Sequence, residues 1–292
     1  MVVESILASG GPFLITFRES LEAALIVAIV AAYLVKTNRQ HLNKYLWIGT
    51  ILAIVTSIAI GIILAVIYGG LEGTAEQVFE GTSGILAAIV LTYMIFWMAR
   101  HSREIKEHLQ KKVDIAVSKG YLLGLAAVSF VAVVREGIET VLFLTATAVQ
   151  DTLATLIGAA AGILIVLVLA MFTMKRIYNI DLNKFFKYSS IVLVIFAAGL
   201  LGFGIHEFIE VGEGLGVDFG FWGQNAFDIN PILDEKGIIG SILKGLVGYD
   251  GNPEILRVFG YIAYWIVIGI YLMVAYYPDH KISRIFKKGD KL

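Results

Sequence analysis

The sequence predicts an all-α polytopic membrane protein with seven transmembrane helices. Two observations carry this prediction: the composition and the regular recurrence of long apolar runs. The chain has 292 residues, 58% of them hydrophobic and only 16% charged, and its mean hydropathy is +0.81. This composition is typical of membrane proteins and excludes a soluble globular domain. The absence of cysteine excludes disulfide bonds and thiolate metal ligands.

The spans follow from the length of helix that a bilayer requires. About 20 apolar residues cross the hydrocarbon core as a helix, and seven runs of the sequence reach that length. The N-terminal run lacks the basic flank of a removable signal peptide, so we interpret it as a permanent span. The seven runs lie at about 11–35, 45–69, 80–99, 121–149, 153–174, 188–209 and 257–277.

The distribution of charge gives the orientation. Lys and Arg accumulate on the cytoplasmic side of membrane proteins. Of the 23 Lys and Arg residues, 18 fall in four segments on one predicted side, at 36–44, 100–119, 175–187 and 279–292. The alternate segments are acidic, above all the long outer segment 210–256. The sequence therefore predicts an external N-terminus, a cytoplasmic C-terminus and a multi-pass location in the plasma or inner membrane, in contact with its lipid bilayer.

Two spans carry charges in their interior. The first contains TFRESLEAALIV and the fourth VVREGIETVLFL, so Arg-Glu-x-(Leu/Ile)-Glu occurs twice, 117 residues apart. Each copy opens a block of three spans. Because three is odd, the second block enters the membrane from the opposite side, which makes an inverted repeat of the kind found in secondary transporters. We assign repeat 1 to about 11–99 and repeat 2 to about 121–209, within a single permease domain 1–292.

The spacing within each motif indicates a cation site. The two glutamates stand at i,i+3 and share one helix face, while the arginine and the second glutamate stand at i,i+4 and can pair. Such pairs leave one acid per helix without a partner, and ionisable residues inside a bilayer mark functional sites. Converging carboxylates suit a hard cation. The candidate ligands are Glu19, Glu22, Glu136 and Glu139, with Arg18 and Arg135 balancing their charge.

The chain resembles the high-affinity iron permeases of fungi and bacteria, whose hallmark is Arg-Glu-Gly-Leu-Glu in the first and fourth spans. REGIE at 135–139 differs by Ile138, and RESLE at 18–22 differs by Ser20. The resemblance also covers 79–98, 199–212 and 240–265. It implies an iron ion permease, not an enzyme, with the motif glutamates as iron ligands and iron as substrate without a further cofactor. It also implies an extracytoplasmic oxidase or iron-delivery protein as partner. No feature indicates nucleic acid binding.

Acidic residues gather at the predicted outer ends of the third and sixth spans. They form either a solvated vestibule or an entry site, and an acidic opening concentrates cations in both cases. In the outer segment, apolar residues of 233–248 recur at helical spacing, which predicts an amphipathic helix on the outer surface or over the transport path. The candidate entry residues are Glu76, Glu80, His206, Glu207 and Glu210.

The sequence alone is compatible with three functions. Transport of iron into the cytoplasm, through a glutamate-lined site at the repeat interface, accounts for both motifs. A transporter of another divalent metal, such as lead or manganese, would use the same fold and ligands. An intramembrane metallohydrolase is suggested by HEFIE at 206–210, but His206 is the only histidine in or near a span, and catalytic zinc usually takes several. Packing explains Met94, Trp97 and Met98 better than a path for soft metals.

Overall fold

The structure is a computed structural model that describes residues 2–101, 105–118, 122–173 and 182–276. Within these ranges the chain is helical and forms no strand, apart from one isolated β-bridge between Asn225 and Glu254. The predicted all-α fold is confirmed for this part of the chain. Most of the predicted cytoplasmic segment 175–187, and the whole tail 279–292, lie outside the described residues.

Among the described residues the helices are joined by short connections, except for the stretch 215–237. Two 3-10 helices, Gln40–Leu42 and Gly220–Gly223, stand between longer elements. The α-helices of the described residues are α1 (Val2–Ala8), α2 (Gly10–Lys36), α3 (Asn43–Tyr68), α4 (Thr74–His101), α5 (Ile105–Ser118), α6 (Leu122–Ala148), α7 (Thr152–Thr173), α8 (Leu182–Gly214), α9 (Ile238–Val247) and α10 (Ile255–Tyr276).

Seven helices coincide with the predicted spans: α2, α3, α4, α6, α7, α8 and α10. Four of the seven, α3, α4, α7 and α8, contain segments that are long and apolar enough to cross a bilayer. Helices α2 and α6 have 27 residues each but carry the motif charges. On α3, Ile58, Ile62 and Val66 expose more than half of their surface, as lipid-facing side chains do. The chain is an integral membrane protein by these features, and the count of seven spans stays a prediction.

Helices α1 and α5 lie outside the predicted spans. Helix α5 occupies the basic segment 100–119, where Leu109 and Val113 pack with Leu34 and Leu46 in a buried apolar cluster. Arg39 adds an ion pair with Asp114 of α5, at 3.3 Å. A segment that the charge pattern explains by orientation alone is therefore also a packed part of the fold.

The predicted amphipathic helix in 233–248 is confirmed as α9. It packs against α1, α8 and the start of α2, and Ile238 and Ile239 at its beginning are exposed. A Cβ atom at Gly245 would meet the backbone of Ala8, and Gly248, at φ +69°, lies against the backbone of Gly199 in α8. Gly245 in α9 and Gly248 directly after it therefore allow close contact with α1 and α8.

The two motif helices have reciprocal neighbours. Helix α2 packs along α7 and α6 packs along α3, while α2 also contacts α6. At the first interface, a Cβ atom on Gly158 of α7 would clash with the carbonyl oxygen of Ser9 and the amide nitrogen of Phe13. Only glycine allows this approach of two backbones.

The α3–α6 interface repeats this contact. A Cβ atom on Gly49 of α3 would clash with the carbonyl oxygen of Ala126 and press on the amide nitrogen of Phe130. Ala126 and Phe130 lie 117 positions after Ser9 and Phe13, the same separation that relates Arg135 to Arg18. The same helix contact is therefore built twice, at equivalent distances from the two motifs.

Alanine at either contact glycine is expected to destabilise the protein, because the neighbouring atoms belong to backbone and cannot move aside. We expect Gly49→Ala and Gly158→Ala each to cost about 1–3 kcal/mol, the usual penalty of overpacking. Gly61→Ala is the matched control on α3, since its Cβ atom would meet Val141 at an ordinary 3.5 Å. Melting temperatures in detergent test this; equal values for the three variants would contradict it.

Candidate metal centre

Three motif carboxylates approach one another where α2 meets α6. One oxygen from each of Glu19, Glu22 and Glu136 lies within 4.8 Å of the other two, and all three residues are buried. Among the described residues, this is the only group of three or more His, Asp or Glu placed to share a metal ion. The i,i+3 spacing of Glu19 and Glu22 turns both toward Glu136 on the neighbouring helix.

Glu139, the fourth predicted ligand, stands at the edge of this group. Its Oε1 accepts a hydrogen bond from Arg135 Nε at 2.8 Å, and its side chain is 13% exposed. It lies close enough to interact electrostatically with the other three glutamates. The structure therefore gathers three of the four predicted residues directly and places the fourth beside them.

Arg18 lies within the carboxylate group and is 1% exposed. Its Nη1 donates to Glu19 Oε1 at 2.5 Å and to Met94 Sδ at 3.1 Å, and its Nη2 lies 2.7 Å from Glu22 Oε1. The contact with Glu22 is an ion pair without hydrogen-bond alignment, since neither atom has a hydrogen-bond partner among the described residues. One guanidinium thus contacts two carboxylates, because its N–H donors lie in one plane and point in different directions.

Arg135 occupies a different environment. Its side chain is 40% exposed, and within the described part of the chain it makes one ion pair, with Glu139. Its Cζ atom lies 4.5 Å from the ring centroid of Trp97 on α4, a cation–π contact. The two copies of the motif are therefore alike in sequence and unequal in burial.

Each glutamate of the two motifs keeps one buried oxygen without a hydrogen-bond partner among the described residues. These atoms are Oε2 of Glu19, Glu136 and Glu139, and Oε1 of Glu22. Buried polar atoms are nearly always satisfied in native proteins, and each exception calls for an explanation. Glu22 Oε1 lies beside Arg18 Nη2, so the oxygens of Glu19, Glu136 and Glu139 are the ones left without a donor, and such oxygens suit a hard cation that arrives from outside the protein.

An apolar layer lies one helical turn from these charges. Ile15 precedes Arg18 on α2, Leu91 precedes Met94 on α4, and Phe143 follows Glu139 on α6, and the three apolar side chains are fully buried in one cluster. Hydrated ions do not cross such a layer without its opening.

A cavity of about 280 Å³ lies beyond the apolar layer. It opens between α1, α2, α6, α7, α8 and α9, and Pro12, Phe196 and Leu200 are among its lining residues. Phe196 and Leu200 also belong to the apolar cluster that contains Ile15. Pro12 precedes Ile15 by one turn of α2, on the side away from Arg18, so the cavity borders the apolar cluster at that end.

The predicted entry residues lie together at one end of α4 and α8. Glu207 is buried and packs beside Gly81, and it interacts electrostatically with Glu80. Tyr68 of α3 donates a hydrogen bond to Glu80 at 2.6 Å and lies 3.5 Å from Glu76. Glu80 precedes Met94 by 14 residues, so about 21 Å of helix separates this cluster from the carboxylate group.

Two further residues complete this end of α8. His206 Nδ1 lies 2.6 Å from Glu254, just before α10, and its Nε2 lies 3.5 Å from Glu210. Although burial acts to raise it, the hydrogen bond with His206 lowers the pKa of Glu254 below its usual value. Gln77 of α4 donates to Glu210 at 2.9 Å. Glu254 and Tyr68 escaped sequence reasoning because neither lies in a motif.

Residues 10–285 match the model of the Iron permease FTR1 family. The chain belongs to this family. It is 38% identical to the ferrous iron permease EfeU of Yersinia pestis, over 87% of this chain and 90% of that one. It is 35% identical to EfeU of Escherichia coli O6:H1 strain CFT073, over 91% and 94%.

Another relative is an uncharacterized protein of Archaeoglobus fulgidus, 40% identical over 87% of this chain and 91% of that one. No solved structure matches the chain. Membership in a permease family means that the protein is a transporter and not an enzyme, so the metallohydrolase interpretation of HEFIE is rejected.

Proposed function

We propose that this iron permease moves iron into the cytoplasm through a site formed by Glu19, Glu22, Glu136 and Glu139. The observation that carries the proposal is the buried meeting of three carboxylates from α2 and α6. Among the described residues, Glu19 and Glu136 each keep an oxygen without a donor, and Glu22 Oε1 makes only its ion pair with Arg18. Four glutamates and two arginines leave a formal charge of −2, which a divalent cation would balance. Glu139 completes the ligand set from the edge of the group.

The site lies at the interface of two inverted three-helix repeats in this proposal. Helices α2, α3 and α4 form repeat 1 and α6, α7 and α8 form repeat 2. The paired glycine contacts support this arrangement, because a two-fold relation that exchanges α2 with α6 also exchanges the α2–α7 interface with the α3–α6 interface. Transporters with this plan bind their substrate where the repeats meet and move the repeats against each other.

Iron approaches from the acidic outer side. The cluster of Glu76, Glu80, Glu207 and Glu210, with His206, concentrates cations there. The apolar layer of Ile15, Leu91 and Phe143 separates the carboxylates from the cavity beyond it, so the layer opens during transport. An extracytoplasmic oxidase or iron-binding partner, which the family resemblance implies, would deliver iron to this cluster.

Fe(II) is the form of iron that we assign as substrate. The relatives from Yersinia pestis and Escherichia coli are named ferrous iron permeases, and carboxylate oxygens accept Fe(II) in a site without thiolates. Manganese and lead are the competing substrates, since oxygen ligands alone do not exclude them.

The test is metal-resolved uptake into proteoliposomes that contain the purified protein. We expect uptake of Fe(II), kept reduced with ascorbate, to exceed uptake of Mn(II) and Pb(II) at equal free concentrations. Empty liposomes give the background. Uptake of Mn(II) or Pb(II) in preference to iron would assign the protein to another metal. Uptake of Fe(III) citrate but not of Fe(II) would make Fe(III) the substrate.

A further inference from the structure

We infer that Met94 and Trp97 of α4 are positioning residues, which hold the two motif arginines so that carboxylate oxygens remain free for the metal. This inference rests on the proposed glutamate site. Met94 Sδ accepts a hydrogen bond from Arg18, and the ring of Trp97 lies under the guanidinium of Arg135. The two residues stand at i,i+3, so one turn of α4 reaches both arginines.

The contact atoms are uncharged, and this matters for the electrostatics of the site. A thioether sulfur is a weak, uncharged acceptor and the face of an indole ring is an uncharged π surface, so neither neutralises an arginine. A carboxylate in the same place would form an ion pair with the guanidinium, and the positive charge of the arginine would then no longer balance the glutamates. Met94 and Trp97 can therefore orient the arginines while leaving their full charge to the carboxylates.

The burial of Arg18 makes its contact with Met94 consequential. Arg18 and Met94 are each 1% exposed, so water cannot replace the sulfur if the acceptor is lost. The Nη1 donor would then turn further toward Glu19 or the unpaired oxygens nearby. Arginine and metal would compete for the same carboxylates, and the apparent affinity for iron would fall.

Met98 provides a matched control for the sulfur. It lies one turn further along α4, is 2% exposed and belongs to the same apolar cluster as Met94. Among the described residues it makes no polar contact. A role in packing alone would make the two methionines equivalent, whereas a positioning role separates them.

The experiment compares iron uptake kinetics of Met94→Leu, Met98→Leu and Met94→Gln in proteoliposomes. Leucine fills a methionine site at little cost to packing, but it offers no acceptor, so we expect Met94→Leu to raise the KM for Fe(II) about tenfold. Met98→Leu should keep the wild-type KM. Met94→Gln restores an acceptor of similar length and should stay within about threefold of wild type, although a buried amide is the worse choice for packing.

Trp97 is tested in the same assay. Trp97→Phe keeps an aromatic face for Arg135 and should retain a KM near wild type, whereas Trp97→Leu should raise it. A wild-type KM for Met94→Leu, equal losses in Met94→Leu and Met98→Leu, or a Gln variant worse than the Leu variant would overturn the inference. Glu136→Gln, measured in parallel, separates the two proposals. If it transports normally, the glutamate site itself is wrong; if it is inactive while Met94→Leu is normal, only the positioning role fails.

Discussion

Replacing Glu136 by glutamine is expected to abolish iron uptake and to leave the protein folded. The substitution keeps the shape of the side chain but removes one charge and one carboxylate oxygen from the group formed with Glu19 and Glu22. Loss of a residue that only supports a metal ligand typically costs 10–100-fold. Loss of a ligand should cost more, so uptake should fall by at least about 100-fold.

Glu136 is the cleanest ligand to replace because no arginine pairs with it within 4.0 Å among the described residues. Its loss therefore leaves no buried cation without a partner, and we expect the melting temperature in detergent to be maintained or raised. Glu72→Gln is the control, since Glu72 is exposed and far from the motifs in sequence. Normal uptake by Glu136→Gln, or equal losses in both variants, would remove Glu136 from the site.

Arg18→Lys is expected to be the second most damaging change, and much worse than Arg135→Lys. The Arg18 guanidinium contacts Glu19, Glu22 and Met94 at once, and an ammonium group cannot reproduce that planar fork although it keeps the charge. A hydrogen bond to a charged group contributes about 1.5–3 kcal/mol. Loss of one such contact should lower uptake roughly ten- to hundredfold.

Arg135→Lys serves as the internal comparison for that prediction. Arg135 is 40% exposed and pairs with one carboxylate, which lysine can also do. Its loss of uptake should stay below about tenfold, because partly exposed ion pairs contribute less than buried ones. Uptake assays of both variants at matched protein levels decide the point. Equal losses of uptake in the two variants would mean that the burial of Arg18 does not matter for transport.

Much of the fold could be predicted from the sequence, because a bilayer imposes simple rules on apolar length and on charge. Those rules found seven helices, and five of them have ends within two residues of the prediction. The other two are longer than predicted: α4 begins six residues earlier, and α8 begins six residues earlier and ends five residues later. They did not find α1, which is only seven residues long. They also predicted no structural role for α5, because the orientation of the chain in the membrane is enough to explain positive charge between two spans.

The candidate site, too, could be predicted only in part. The repetition of Arg-Glu-x-(Leu/Ile)-Glu inside two spans singled out Glu19, Glu22 and Glu136 before any geometry was known. The offset of Glu139 could not be foreseen, since it depends on how far α6 is rotated against α2. Met94 and Trp97 were expected to pack, because a sequence shows that a side chain is apolar but not that a buried arginine lies beside it.

The central claim is that the motif carboxylates bind the transported iron. X-ray absorption spectroscopy at the iron edge, on purified protein loaded with Fe(II), tests it most directly. We predict a first shell of oxygen atoms only, at a stoichiometry near one iron per chain, and loss of this bound iron in Glu136→Gln. A first shell with nitrogen or sulfur ligands, or a spectrum and occupancy unchanged by Glu136→Gln, would contradict the account.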